Sequence, residues 1–132
     1  MLLPGRYDLY VQAITAALTA QVQPSIDDLD GMLAATITAE VIGFTGGSSI
    51  SAVVRTSLDG GTVWFDVARF DFSGAGKKYA NLSGLTAKGI TAYAALNAEG
   101  VNDGLLGPMW GTVITSVGTF TNTNLAVRLN VR

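Results

Sequence analysis

The chain contains no cysteine and no histidine. The first absence removes any disulfide framework, thiolate metal site or thiol nucleophile. The second removes the commonest general base near neutral pH, and with it the Ser-His-Asp and Cys-His arrangements and the most frequent zinc ligand. Charge is scarce as well: 14% of residues are charged, where globular domains average roughly 25%. The net charge of −2 and a pI near 4.8 argue against a phosphate-tracking surface, and Lys77-Lys78 is the only adjacent basic pair. No apolar run approaches the length of a membrane span, and Met1 to Arg6 lack the basic start and apolar stretch of a secretory signal. We therefore expect synthesis in the cytoplasm, with neither nucleic acid nor membrane as a partner.

What remains is 132 residues, 48% hydrophobic, enough for one domain over 1–132 that buries a core without staples. No internal repeat or linker divides it. With so few charges some exposed surface must be neutral or apolar, which favours a chain partly covered in an oligomer or larger assembly.

The strongest local signal is Ser57-Leu58-Asp59-Gly60-Gly61-Thr62-Val63-Trp64. An Asp-Gly-Gly turn between apolar-rich runs marks a β-hairpin, here with Ile50 to Ser57 and Val63 to Phe72 as arms. In the second arm Trp64, Asp66 and Ala68 share one expected face, opposite Phe65, Val67 and Arg69. Met32 to Gly43 alternates cleanly and places Leu33, Ala35, Ile37, Ala39 and Val41 on one side of a half-buried strand.

Tyr7 to Ala20 fits both a helical stripe (Tyr10, Ile14, Leu18) and alternation (Leu9, Val11, Ala13). Its threonines and the β-rich remainder favour a strand. Gln21 to Asp30, Gly46 to Ser49 and Ser73 to Lys78 read as connections, Ile90 to Asn97 as a strand, and Glu99 to Pro108 as a mobile loop. Trp110 to Val117 and Leu125 to Val131 read as a terminal hairpin across Thr121 to Asn124, with Leu125, Val127, Leu129 and Val131 inward. The expected fold class is all-β: one antiparallel, jelly-roll-like sandwich of about seven or eight strands, with residues 1–6 as an N-terminal arm.

The candidate sites reduce mostly to structure. Asp27, Asp28 and Asp30 before Gly31 suggest a calcium loop, but placing Asp30-Gly31 at its fifth and sixth positions puts Ile37 where the bidentate carboxylate belongs. A solvated turn explains them better. Asp59 and Asp66 lie near an aromatic pair, as a glycosidase would need, yet Asp59 belongs to its turn and Asp66 can face solvent or pair with Arg55 or Arg69. Trp64, Trp110, Tyr7, Tyr10, Tyr79 and Tyr93 could form a sugar-stacking platform, but aromatics in strands are more often core. No catalytic residue, cofactor site or metal site is expected.

Ser57 to Ala68, followed by Gly-Thr-Phe-Thr-Asn-Thr-Asn-Leu at Gly118 to Leu125, resembles small virion proteins of tailed bacteriophages and gene-transfer particles. The resemblance covers the central and C-terminal two-thirds of the chain and rests on a turn phrase, S-x-D-G-G-T-x-W. It implies a sandwich module in the virion that decorates a capsid or sits at the neck, often as a trimer, with the major capsid protein or other virion proteins as partners. Decoration is the leading expectation, with contacts at Leu2, Leu3, Tyr7, Asp103, Met109 and Trp110. A head-to-tail connector and a carbohydrate-binding module stacking sugars on Trp64 or Trp110 are the alternatives.

Overall fold

Alternation decides what the strands bury. In Ala34–Ile42 the side chains of Ala35, Ile37, Ala39 and Val41 are at most 2% exposed, while Thr38 and Ile42 face outward. The same two-residue period runs through Leu125, Val127, Leu129 and Val131, as the sequence predicts. In a computed structural model, which describes residues 2–132, nine strands form: β1 (Gly5–Ala13), β2 (Leu18–Val22), β3 (Ala34–Ile42), β4 (Thr45–Ser57), β5 (Trp64–Phe72), β6 (Gly76–Ser83), β7 (Gly100–Val101), β8 (Met109–Thr121) and β9 (Asn124–Val131).

The strands make two antiparallel sheets, ordered β1-β9-β3-β6 and β2-β8-β4-β5-β7. Setting aside the two-residue β7, the pairing is that of one long hairpin: β4 with β5, β3 with β6, β2 with β8, β1 with β9. Rolling that ribbon also brings β3 against β9 and β4 against β8. This is a jelly-roll sandwich, and the Asp59-Gly60-Gly61 turn is the tip of the ribbon. Between the sheets lie Ile37, Leu129, Ile50, Val54, Ile114 and Trp110, all essentially unexposed. Each large apolar side chain so buried stabilises the fold by about 1.5–3 kcal/mol before chain entropy is counted.

Several expectations are corrected. Tyr7 to Ala20 is not one strand but β1 and β2, in different sheets, with the fully buried Ile14 at the crossing. Residues 121–124 do not close a hairpin: β8 and β9 lie in different sheets, so the segment turns a corner of the sandwich. Gly46 to Ser49 belongs to β4, where two register shifts oppose Gly47 to Gly118. Leu33 precedes β3 and is 56% exposed; its N–H and that of Ala34 both donate to the Arg132 carbonyl, so the alternation of β3 does not extend to it.

In β5 a bulge sets Asp66 opposite Arg55 and Ala68 opposite Val54, so the sequence neighbours Val67 and Ala68 are both fully buried. Ala68 therefore parts from the face of Trp64 and Asp66. Residues 90–97 form no strand; their polar backbone atoms bond to side chains of neighbouring elements.

Candidate functional site

The ribbon tip is a closed network. Ser57 Oγ donates to Asp59 Oδ1 at 2.9 Å and accepts from the Gly61 N–H at 2.9 Å. The Val63 N–H donates to Asp59 Oδ1 at 2.8 Å, and that bond is the main reason the Asp59 carboxyl lies below the usual range. Gly60 and Gly61 take φ of 76° and 96°, which only glycine adopts without strain. Trp64 Nε1 donates to the Gly61 carbonyl at 3.0 Å while the Arg55 guanidinium sits 4.5 Å from the ring centre. Turn and tryptophan hold each other.

Asp66 serves a separate network. Its Oδ2 accepts from the Leu96 N–H at 3.0 Å, its N–H donates to the Tyr93 hydroxyl at 2.8 Å, and its carbonyl accepts from Asn102 Nδ2 at 2.8 Å. The same Asn102 amide reaches the Ala94 carbonyl at 3.1 Å. These bonds replace the expected ion pairs with Arg55 or Arg69; Arg69 instead bonds Asp71 and the Leu96 carbonyl.

Together they strap residues 84–99 across β5 and β7. Two carboxylates complete the strap. Glu99 Oε2 accepts from Lys78 Nζ at 2.6 Å and from the Asp71 N–H at 2.9 Å, and the lysine is the main cause of its lowered pKa. Asp103 accepts from the Ser83 N–H at 2.9 Å, the main cause of its lowered pKa, and pairs with Lys88 at 3.4 Å. The segment expected as a mobile loop thus contains β7 and two anchors. The strap borders an open groove of about 500 Å³ lined by Phe65, Tyr93, Val101 and Leu105, with the Phe65 and Tyr93 rings edge to face at 5.0 Å.

The expected contact residues are not all at the surface. Trp110 is completely buried and donates Nε1 to the Gly107 carbonyl, so it presents no surface for assembly or for stacking a sugar. Met109 is half-buried at the start of β8, its sulfur near Gly61. Leu2 and Leu3 are exposed, but the segment is tied to the body: the Leu2 N–H donates to the Asp28 carbonyl, the Tyr7 hydroxyl to the Leu3 carbonyl, and Gly5 and Arg6 already pair with β9. Asp27 and Asp28 form a local turn through the Asp28 N–H, and the described residues contain no group of three or more potential metal ligands.

The outer face of the five-stranded sheet carries a surface that sequence reasoning passed over. Val22, Val113 and Val53 stand opposite one another across β2, β8 and β4, with Val117 exposed further along β8. Val22 is 60% and Val117 52% exposed. The signal was the pair Val53-Val54, which gives β4 an apolar side chain on both faces. No family model matches the chain, and no curated protein is similar to it.

Proposed function

We propose that the protein is a non-enzymatic structural component of a virion, a capsid decoration (cement) protein that grips the head shell. The observation that carries the reading is the valine row Val22-Val113-Val53 on the outer face of β2, β8 and β4, in which Val22 is exposed and Val113 and Val53 are half-buried. Apolar sheet faces left in water favour covering by a partner. The low charge content points the same way, and the jelly-roll topology is one that capsid proteins use, as an analogy of fold. Binding only to the assembled shell stabilises it by mass action. The partner is the major capsid protein, met by a homo-oligomer of this chain, with a trimer as the expected state.

Separating purified particles into heads and tails and measuring copy number in each by quantitative mass spectrometry tests this. Head abundance comparable to that of the major capsid protein is expected. A few copies per particle would move the protein to the neck or tail, and absence from particles would overturn the virion reading.

A further inference from the structure

The outer face of the four-stranded sheet gathers half of the chain's cations. Across β1, β9, β3 and β6 its rows read Arg6-Asn130-Thr36-Asn81, Asp8-Arg128-Thr38-Tyr79 and Val11-Ala126-Glu40-Lys77, with Arg132 at the end. Four of the eight Lys and Arg residues lie here, with only two of the ten Asp and Glu. The face is net positive by two side-chain charges, and the rest of the molecule, with four cations and eight acids, is net negative by four.

The positive charge is also under-used. Arg6 and Arg128 share the single carboxylate of Asp8, at 3.8 and 3.3 Å. Arg128 Nε is buried yet makes no hydrogen bond, the Asp8 oxygen lying off its donor direction. Among the described residues Arg132 pairs with no acid and donates to the Thr36 hydroxyl at 3.2 Å, which itself donates to Asn81 Oδ1 at 2.7 Å. Two shallow grooves, of about 410 and about 320 Å³, meet over Thr36, Thr38 and Arg128. Tyr79 walls the first and is 73% exposed.

We propose that this face binds an acidic oligosaccharide, its carboxylates held by Arg128, Arg132 and Arg6, its hydroxyls by Thr36, Thr38 and Asn81, and one sugar ring laid against Tyr79. Guanidinium forks match carboxylates, and hydroxyl and amide side chains both donate and accept, as a polyol ligand requires. Three interstrand spacings give a width of about 14 Å between β1 and β6, which suits a short oligosaccharide rather than a single sugar. An extended peptide would bind at a sheet edge with apolar pockets for its side chains, and a nucleic-acid strand would stack successive bases on several aromatic side chains, where this face offers Tyr79. The inference is independent of the virion reading, since it concerns the opposite sheet and needs no shell.

The test is isothermal titration of the full chain at low salt with oligogalacturonate, with a neutral dextran oligosaccharide and polyglutamate as controls. Oligogalacturonate is expected to bind and both controls to bind at least about tenfold more weakly, a difference of about 1.4 kcal/mol. Tyr79→Ala and Arg132→Gln should each weaken oligogalacturonate binding about tenfold. Both side chains are on the surface, so an unchanged melting temperature in the variants shows that the site and not the fold was altered. Absence of binding at millimolar oligogalacturonate, equal binding of either control, or folded variants that bind as the parent does would each overturn the proposal.

Discussion

Replacing Gly47 by alanine tests how the corner of the sandwich is built. A Cβ at this position falls 2.0 Å from Cζ and 2.3 Å from both Cε atoms of Phe120, far inside a carbon contact of about 3.5 Å. Phe120 is 2% exposed and packs edge-on against Phe44 at 5.2 Å, so the ring must move into occupied space. Overpacking of this kind costs about 1–3 kcal/mol. Gly47 does not have a positive φ, so alanine adds no backbone strain and recovers about 0.4–1 kcal/mol by restricting the unfolded chain. With the Cβ 2.0 Å from the ring the cost falls in the upper half of that range, so the net loss is about 1–2.6 kcal/mol, which lowers Tm by roughly 3–12 °C at this chain length. Thermal melts of Gly47→Ala, Phe120→Leu and the double variant check both the size and the cause: the alanine cost should largely vanish in the Phe120→Leu background. Gly74, with nothing within 4 Å and no positive φ, is the control, and Gly74→Ala should leave Tm within about 1 °C or raise it slightly. A Gly47→Ala variant as stable as the parent, or equally destabilised with and without the Phe120 ring, refutes the reasoning.

Asn102→Ala removes the amide that joins the Asp66 and Ala94 carbonyls; at about 1 kcal/mol per bond, hydrogen exchange across residues 90–99 should accelerate roughly tenfold or more while exchange in β3 and β9 stays as it was. Glu99 and Asp103 both have lowered pKa values in the folded chain, from the Lys78 and Ser83 bonds respectively. Their contribution to the strap is therefore complete above the unfolded carboxyl range and lost as pH falls through their folded values, which lie below that range. Limited pepsin digestion should cut first within 84–99 on acidification, and Glu99→Gln should shift that onset to higher pH. Val113→Asp places a charge in the middle of the valine row while pointing away from the core; it should abolish co-sedimentation with heads while changing Tm by no more than about 3 °C.

How much of this could be read from the chain depends on how far each determinant reaches. The Asp59-Gly60-Gly61 tip was legible because Ser57, Asp59, Gly61, Val63 and Trp64 supply their own partners within eight residues. The inward faces of β3 and β9 were legible because a two-residue period needs no knowledge of the neighbouring strand. Partnership is a different matter. Nothing local in Thr121 to Asn124 separates a hairpin from a corner; the Thr45 N–H bonding Thr123 Oγ1, seventy-eight positions away, belongs to the corner. The bulge that buries both Val67 and Ala68 is likewise a property of the β4 pairing and leaves no mark in β5 itself. Residues 90–97 carry enough apolar alternation to read as a strand, but their backbone partners are side chains of Asp66, Arg69 and Asn102. The candidate surfaces were hardest to see, since both are rows across strands: Val22, Val53 and Val113, or Arg6, Asn130, Thr36 and Asn81, meet only once the ribbon is rolled.

The rolled ribbon also explains why two outer faces of such different chemistry can coexist in a small chain. Each strand contributes alternate residues to the shared core and the others to one outer face, so the composition of an outer face is free of the packing that fixes the core. On β3 the inward set is Ala35, Ile37, Ala39 and Val41, and the outward set includes Thr36, Thr38 and Glu40. On β4 the inward set is Ile50, Ala52, Val54 and Thr56, while Val53 and Arg55 stand outside. A jelly roll assigns β3 and β4 to opposite sheets although they are joined by only Gly43 and Phe44. Substitutions on one outer face therefore leave the other intact, separated from it by the full thickness of the core, about 10 Å between sheets. A valine face buried against a shell would leave the arginine face turned to solvent, which is the orientation in which a soluble anionic ligand could reach it.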